Sequence, residues 1–95
     1  MATARLSGDL TMREVPGTWK KLASDLPEQI DLAGLERIDS SALAMLLECR
    51  ATADAAGAEI EFLNPPETLR TIARLTQVEE LLGWNATSNG KGRFE

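Results

Sequence analysis

Three consecutive polar residues whose side chains could take part in a reaction lie directly before the most apolar run of the chain. Asp39, Ser40 and Ser41 are followed by the stretch ALAMLLECR. A serine hydroxyl beside a carboxylate can act as a nucleophile where a base activates it, or it can cap a helix by accepting hydrogen bonds from its first amides. The rest of the chain must therefore show whether a base is present.

The residues that usually support catalysis are scarce. The chain contains no histidine, no tyrosine and one cysteine, so the common neutral-pH base and the commonest metal ligand are both missing. A nucleophilic Ser41 would need Lys20 or Lys21 as its base, yet these lysines fit the solvated face of an amphipathic helix. Cys49 fits a small buried hydrophobe. We therefore expect a non-catalytic protein without a metal or cofactor.

The charge and composition of the chain indicate which classes of partner to expect and in which cellular compartment the protein lies. Fifteen acidic and ten basic residues give the 95-residue chain a net charge of −5, and the basic residues form no cluster, so nucleic acid is not an expected partner. The single cysteine indicates a reducing compartment. No apolar run approaches the length of about 20 residues that a membrane span needs. These features predict a cytoplasmic protein that does not insert into a membrane.

Three stretches show the alternation of apolar and polar residues that is typical of strands. They are TARLS, EQIDLAGL and AEIEFLN, and Ile60 and Phe62 give the last of them its apolar side. We expect a turn at Gly8-Asp9 after the first strand, and we expect the second strand to end at Gly34.

Helical patterns fill the intervals between the strands and follow the last one. The first helix should begin near Pro16, with an inner face of Val15, Trp19, Leu22, Ala23 and Leu26. The second should be capped by Ser40 or Ser41 and should run to about Ala56. Two short helices should follow, the third capped by Asn64 and the fourth opened by Thr76 and closed by Gly83.

The order of these elements predicts an α/β fold, with a small mixed, largely parallel sheet covered by helices. We expect one domain over residues 1–84. The polar and glycine-rich stretch over residues 85–95 predicts a disordered tail.

The second helix has two distinct faces when its residues are placed about 100° apart. A core stripe consists of Ala42, Leu43, Leu46, Cys49 and Ala53. The opposite side carries a flat set of small residues with one leucine, which we call the outer row: Ser40, Ala44, Leu47 and Ala51. A solvated helix normally carries charged residues there, so the outer row suits the close approach of another protein. The alternative is that alanine is present only because it favours helices.

The stretch from Ile30 to Leu82 resembles a STAS domain. This module is shared by anti-sigma-factor antagonists, the cytoplasmic tails of sulfate transporters and a small subunit of bacterial phospholipid-transport ABC systems. The resemblance rests on a strand with Asp-Leu, the turn Asp39-Ser40-Ser41-Ala42-Leu43, Gly57 before the next strand and a paired helical ending. Ala42 departs from the pattern, because the family usually has glycine there.

The resemblance implies one of two functions. In antagonists the second small residue of the turn is a serine phosphorylated by a partner kinase, and Ser41 stands at that position. In the lipid-transport subunits the first small residue, here Ser40, is the one implicated in function. We favour the transport class because little precedes the first strand, because the helix continues as ALAMLLECRATADAAG, and because Ala42 weakens the antagonist signature.

The transport resemblance also implies partners and a location. The domain would bind the ABC ATPase subunit of a lipid-asymmetry system, in a complex with an inner-membrane permease and an MCE-domain lipid-binding protein. It would lie in the cytoplasm, peripheral to the inner membrane. The expected contact residues are Asp39, Ser40, Ser41, Ala44, Leu47 and Ala51.

Overall fold

Strands and helices alternate in the order that the sequence predicts. A computed structural model describes residues 3–84, and the predicted tail over residues 85–95 lies outside them. The elements are β1 (Thr3–Leu10), α1 (Val15–Ser24), β2 (Gln29–Ile38), α2 (Ser40–Ala55), β3 (Glu61–Leu63), α3 (Glu67–Leu75) and α4 (Glu79–Leu82). The predicted α/β fold is therefore confirmed.

The sheet has the order β1-β2-β3, and both strand pairs are parallel. Alternate residues of β1 turn toward the helices: Ala4, Leu6 and Gly8 are half-buried and Leu10 is buried, whereas Thr3, Arg5, Ser7 and Asp9 are exposed. Helix α2 lies at the centre of the helical layer and contacts α1, α3 and α4. The helices thus cover one face of the sheet and leave the other polar.

Strand β2 is longer than predicted and bulges twice against β1. Its ten residues pair with eight of β1, and the register shifts opposite Leu6 and opposite Asp9. Gly34 lies at the first bulge, where an added Cβ would come within 3.0 Å of the Leu6 carbonyl oxygen. At the second bulge the Asp9 carboxylate accepts a hydrogen bond from the Arg37 amide at 3.3 Å. Glycine at position 34 therefore permits a bulge and does not end the strand as we predicted.

The predicted turn at Gly8-Asp9 is also wrong. Both residues belong to β1, although Gly8 has a φ of 78°, in the left-handed region that glycine adopts without steric cost. Glycine is common both in turns and at irregular positions within strands, so the residue type alone does not distinguish the two.

The burial of residues in the hydrophobic core confirms the predicted core stripe of α2. All five of its residues are buried, and Ala42, Leu46 and Cys49 are fully so. Met45 is also buried, which the predicted stripe did not include. Ile60 and Phe62 are buried as predicted, although β3 itself has only three residues. On α1 the prediction for Ala23 is wrong, because this residue is exposed.

Three of the predicted helix ends differ. The N-cap of α2 is Asp39, one residue before the serines, and the N-cap of α3 is Pro66 in place of Asn64. The Asn64 side chain donates instead to Asp31 of β2 at 3.1 Å. Thr76 follows the last residue of α3, where its hydroxyl donates to the Ile72 carbonyl at 2.8 Å, whereas α4 begins after Val78.

The glycine at the end of the last helix behaves as predicted. Gly83 ends α4 with a φ of 78°, a backbone conformation that helix C-termini commonly use and that glycine tolerates best.

Candidate functional site

The predicted turn lies where the carboxyl ends of β1 and β2 meet. Because the two strands are parallel, the segment after β1 and the segment after β2 leave the same edge of the sheet. The first contains Thr11, Met12 and Glu14, and the second is the single residue Asp39 before α2 begins. The site is therefore built from two segments far apart in sequence.

Asp39 connects these two segments through its carboxylate. One oxygen, Oδ1, accepts from the Ser41 amide at 2.9 Å and from the Ser41 hydroxyl. The other, Oδ2, accepts from the Met12 amide at 3.1 Å. Hydrogen bonds from the Ser41 hydroxyl, and then from the Met12 amide, lower the pKa of Asp39 from its ordinary value of 3.8. Asp39 is thus held ionised at neutral pH as both a helix cap and a bridge to the neighbouring loop.

The loop after β1 is closed by its own capping contact. Glu14 Oε1 accepts from the Thr11 hydroxyl at 2.6 Å and from the Thr11 amide at 2.8 Å, and these bonds lower the pKa of Glu14. Between these residues Met12 is 75% exposed, although its amide is fixed by Asp39. An exposed methionine is a flexible apolar side chain that can adapt its shape to a neighbouring surface. Nothing local in the sequence placed Met12 beside Asp39.

The two serines have different roles in the geometry. Ser41 is half-buried, and both its amide and its hydroxyl donate to Asp39. Ser40 is exposed, and its hydroxyl has no hydrogen-bond partner among residues 3–84. Ser41 is therefore committed to the start of the helix, whereas the Ser40 side chain faces outward.

The outer row continues from Ser40 along α2. Ala44 and Ala51 are exposed, and Leu47 is half-buried because part of its side chain packs against the core. Arg50 and Asp54 form an ion pair at 3.4 Å along the same helix. All the predicted contact residues lie on one helix and the residue before it, and Met12 adds a neighbour that the sequence did not predict.

The comparison with known families decides the fold family. The family model described as "Mlab, STAS domain" matches residues 2–83. The chain belongs to this STAS domain family. No curated protein matches the chain.

The STAS turn accommodates its departure from the usual glycine. Ala42 is fully buried within the first turn of α2, so its methyl group fills core space and is not presented to a partner. An alanine inside a helix also costs less conformational entropy than glycine. Alanine at this position therefore stabilises the turn without altering its exposed side.

The chemistry available to this STAS domain is limited by the state of its side chains. Asp39 is a weak base because its pKa is lowered, so it orients the Ser41 hydroxyl but is poorly suited to deprotonate it. Burial, with a smaller contribution from the charge of Glu48, raises the pKa of Cys49 to about 11, so its thiol stays protonated and unreactive near neutral pH. Across residues 3–84, no cluster of three or more acidic, cysteine or histidine side chains could hold a metal ion.

None of the helices within residues 3–84 has both the length and the apolar character of a membrane span.

Proposed function

We propose that this STAS domain is a non-catalytic subunit of a phospholipid-transport ABC complex, and that it binds the ATPase subunit through Ser40 and the outer row of α2. The observation that carries the proposal is the continuity of this surface. Ser40, Ala44 and Ala51 are exposed along one side of a single 16-residue helix. The description of the matching family model, which names Mlab, supports the transport class.

The small side chains of the outer row favour a close helix contact. Alanine and serine let a partner helix approach α2 with little side-chain entropy lost on binding, and Leu47 supplies apolar area that is only half covered by its own domain. Met12 stands beside the start of this surface as a flexible apolar residue. The proposed interface is thus an apolar centre flanked by the Asp39 turn.

The rigid core beneath the helix supports the same function. Leu46 and Cys49 are fully buried on the opposite side of α2, so the outer row cannot rotate away from the partner without breaking the core. The domain would act by holding the ATPase in an assembled arrangement at the cytoplasmic side of the inner membrane, with the permease and the MCE-domain protein in the same complex.

A second function has its own supporting observation. The Ser41 hydroxyl donates directly to Asp39, so a phosphoryl group on Ser41 would place about −1.5 to −2 charges against that carboxylate. The repulsion would displace Asp39 from Ser41 and from the Met12 amide, and would change both segments of the site. An anti-sigma-factor antagonist switched by phosphorylation of Ser41 would use this coupling.

Recovery of partners from the native cell tests the two functions together. The full chain, tagged and expressed at its natural level, is expected to co-purify with an ABC ATPase and a permease. The Ala44→Glu variant is expected to recover less of both, and Ala23→Glu, at an exposed alanine of α1, is the matched control. Co-purification of a serine kinase without the ATPase would instead support the antagonist and contradict the transport function.

A further inference from the structure

The outer edge of β1 is an extended backbone segment with no neighbouring strand among residues 3–84. β1 lies at one end of the three-stranded sheet and pairs only with β2. A groove of about 540 Å³ runs along this edge, between β1 and one side of α1. Leu6 and Leu22 contribute apolar surface to it, Thr18 and Lys21 form its helical wall, and Asp25 lies at the end of that helix. An edge of this kind is a template for the addition of another strand.

We propose that the occupant of this edge is a second copy of the same chain. The β1 strands of the two copies would pair in an antiparallel arrangement centred on Ser7, about a two-fold axis, to form a continuous six-stranded sheet. Such an interface is isologous, so each contact occurs twice. This inference does not depend on the proposed function.

The charges of β1 are self-complementary in this register. With Ser7 opposite its own copy, Arg5 of each chain lies directly opposite Asp9 of the other. Arg5, Ser7 and Asp9 are all exposed on the polar face of the sheet, so both ion pairs form on the same side. Opposite charges at directly paired positions stabilise antiparallel strands, and like charges destabilise them. No other antiparallel register places both charged residues of β1 opposite a residue of opposite sign.

The existing contacts leave Arg5 able to form this pair. Its guanidinium lies 3.8 Å from Asp31, at the outer limit of an ion pair, and its side chain is 65% exposed. Asp9 uses only its Oδ1 to accept from the Arg37 amide, which leaves its second carboxylate oxygen for a partner.

The residues along this edge are also balanced in charge, on a chain that is acidic as a whole. Arg5 and Lys21 balance Asp9 and Asp25 among the lining residues of the groove, whereas the whole chain carries a net charge of −5. Two copies that meet at this edge therefore avoid the mutual repulsion expected over the rest of an acidic surface.

The inward-facing residues fit the same register. Leu6 of each copy would lie opposite Gly8 of the other, where the absence of a side chain leaves room for it. Ala4 would lie opposite Leu10, so a small residue again faces a leucine. Leu6 is half-buried in the described chain and would gain apolar cover from the second copy.

Sedimentation velocity of the full chain over a range of concentrations tests the proposal. The wild type is expected to show a reversible monomer–dimer equilibrium at low salt. Arg5→Asp alone and Asp9→Arg alone should each be monomeric, because each places like charges opposite one another. An equimolar mixture of the two variants should regain a dimer, because every charge of one variant then faces an opposite charge of the other. A wild type that stays monomeric at every concentration, or single variants that dimerise as the wild type does, would overturn the proposal.

A cysteine cross-link tests the register and does not depend on the charge variants. Residues opposite each other at the axis have Cα atoms about 4.5 to 5.5 Å apart, within disulfide range, so Ser7→Cys is expected to form a covalent dimer under mild oxidation. Thr3→Cys is the matched control, since its two copies would lie about 26 Å apart at about 3.3 Å per residue. Cys49 is fully buried in the described chain and should not compete in either variant. Equal cross-linking of the two variants would exclude pairing centred on Ser7.

Discussion

Asp39 accepts a hydrogen bond from the Met12 backbone amide at 3.1 Å, across 27 residues of sequence. The same carboxylate caps α2 through Ser41. The loop after β1 and the start of α2 are therefore joined by one ionised side chain, and a change in its charge reaches both. This link makes Asp39 a structural centre of the proposed interface, although its own oxygens face neighbours within the domain.

Replacement of Asp39 by asparagine should lower the stability of the domain at neutral pH. The pKa of Asp39 is lower in the folded chain than its ordinary value of 3.8, so folding favours the ionised form. Its stabilising contribution is present above about pH 4 and is lost as the pH falls through the folded-state pKa. The urea midpoint of Asp39→Asn should lie below that of the wild type at pH 7, and the difference should shrink toward pH 3.

The control for this experiment is Asp54→Asn, which removes an exposed carboxylate from the same helix. It should change the midpoint little, because an exposed i,i+4 pair contributes little to stability. A difference between Asp39→Asn and the wild type that stays constant from pH 7 to pH 3 would show that charge is not the cause.

Met12→Ser should weaken partner binding without loss of stability. Met12 is 75% exposed, so its truncation removes little core contact, whereas its position beside Asp39 places it within reach of a partner on α2. Leu75→Ser is the matched control, because Leu75 is 77% exposed at the end of α3, away from the proposed interface. Calorimetric titration of the ATPase should give a weaker affinity for Met12→Ser alone. Equal losses for the two variants would remove Met12 from the interface.

Leu46→Ala should cost about 2 to 5 kcal/mol of the free energy of unfolding, as core truncations do. Leu46 is fully buried on the core stripe of α2. Its neighbour Leu47 is only half-buried, so Leu47→Ala should cost clearly less. Urea unfolding of the two variants measures the difference, and a reversed order would mean that the helix is rotated from the orientation described.

Much of the fold followed from the sequence because periodicity depends on local geometry. Spacing alone predicts the core stripe of α2, and it predicts that Ile60 and Phe62 form the apolar side of a strand. The burial of these residues confirms both predictions. The errors occurred where a residue serves a tertiary contact. Gly34 lies at a bulge where an added Cβ would come within 3.0 Å of the Leu6 carbonyl oxygen, and Asn64 donates across the sheet to Asp31. A local sequence pattern reveals neither contact.

The candidate site also contains features that local patterns predict and features that depend on tertiary contacts. The turn from Asp39 to Ser41 and the outer row were found from residue types on one helix, and the structure places them together. The cap itself was assigned to a serine, because serine and aspartate are both good N-caps and spacing does not distinguish adjacent positions. Met12 was missed because its proximity to Asp39 arises from parallel strand pairing, which brings distant loops to one edge.

Ala44→Glu should leave the isolated domain folded and weaken ATPase binding. Ala44 is exposed on the outer row, so glutamate there meets solvent in the free domain but would be desolvated without a partner charge in the complex. Ala23→Glu is the matched control, since Ala23 is also an exposed helical alanine but lies on α1. Wild-type affinity for Ala44→Glu, measured by calorimetry, would exclude the outer row as the ATPase contact.

The two serines separate the transport function from the antagonist function. Ser40 faces outward without a hydrogen-bond partner among residues 3–84, whereas Ser41 is held by Asp39. In a transport subunit, Ser40→Arg should therefore abolish ATPase pull-down and make the outer membrane sensitive to detergent, because a long charged side chain would meet the partner directly. Ser41→Ala should be mild, since the Asp39 carboxylate still accepts from the backbone amide of residue 41.

An antagonist would show the opposite order. There Ser41→Ala would lock the unphosphorylated form, and Ser41→Asp would mimic the switched form by placing a negative charge beside Asp39. The variants should be compared side by side in the full chain, after thermal melting has shown that each is folded. If Ser40→Arg and Ser41→Ala both retained wild-type pull-down and detergent resistance, and Ser41→Asp changed nothing, the turn would not be the contact in either function. The ATPase or the kinase would then have to bind elsewhere on the domain.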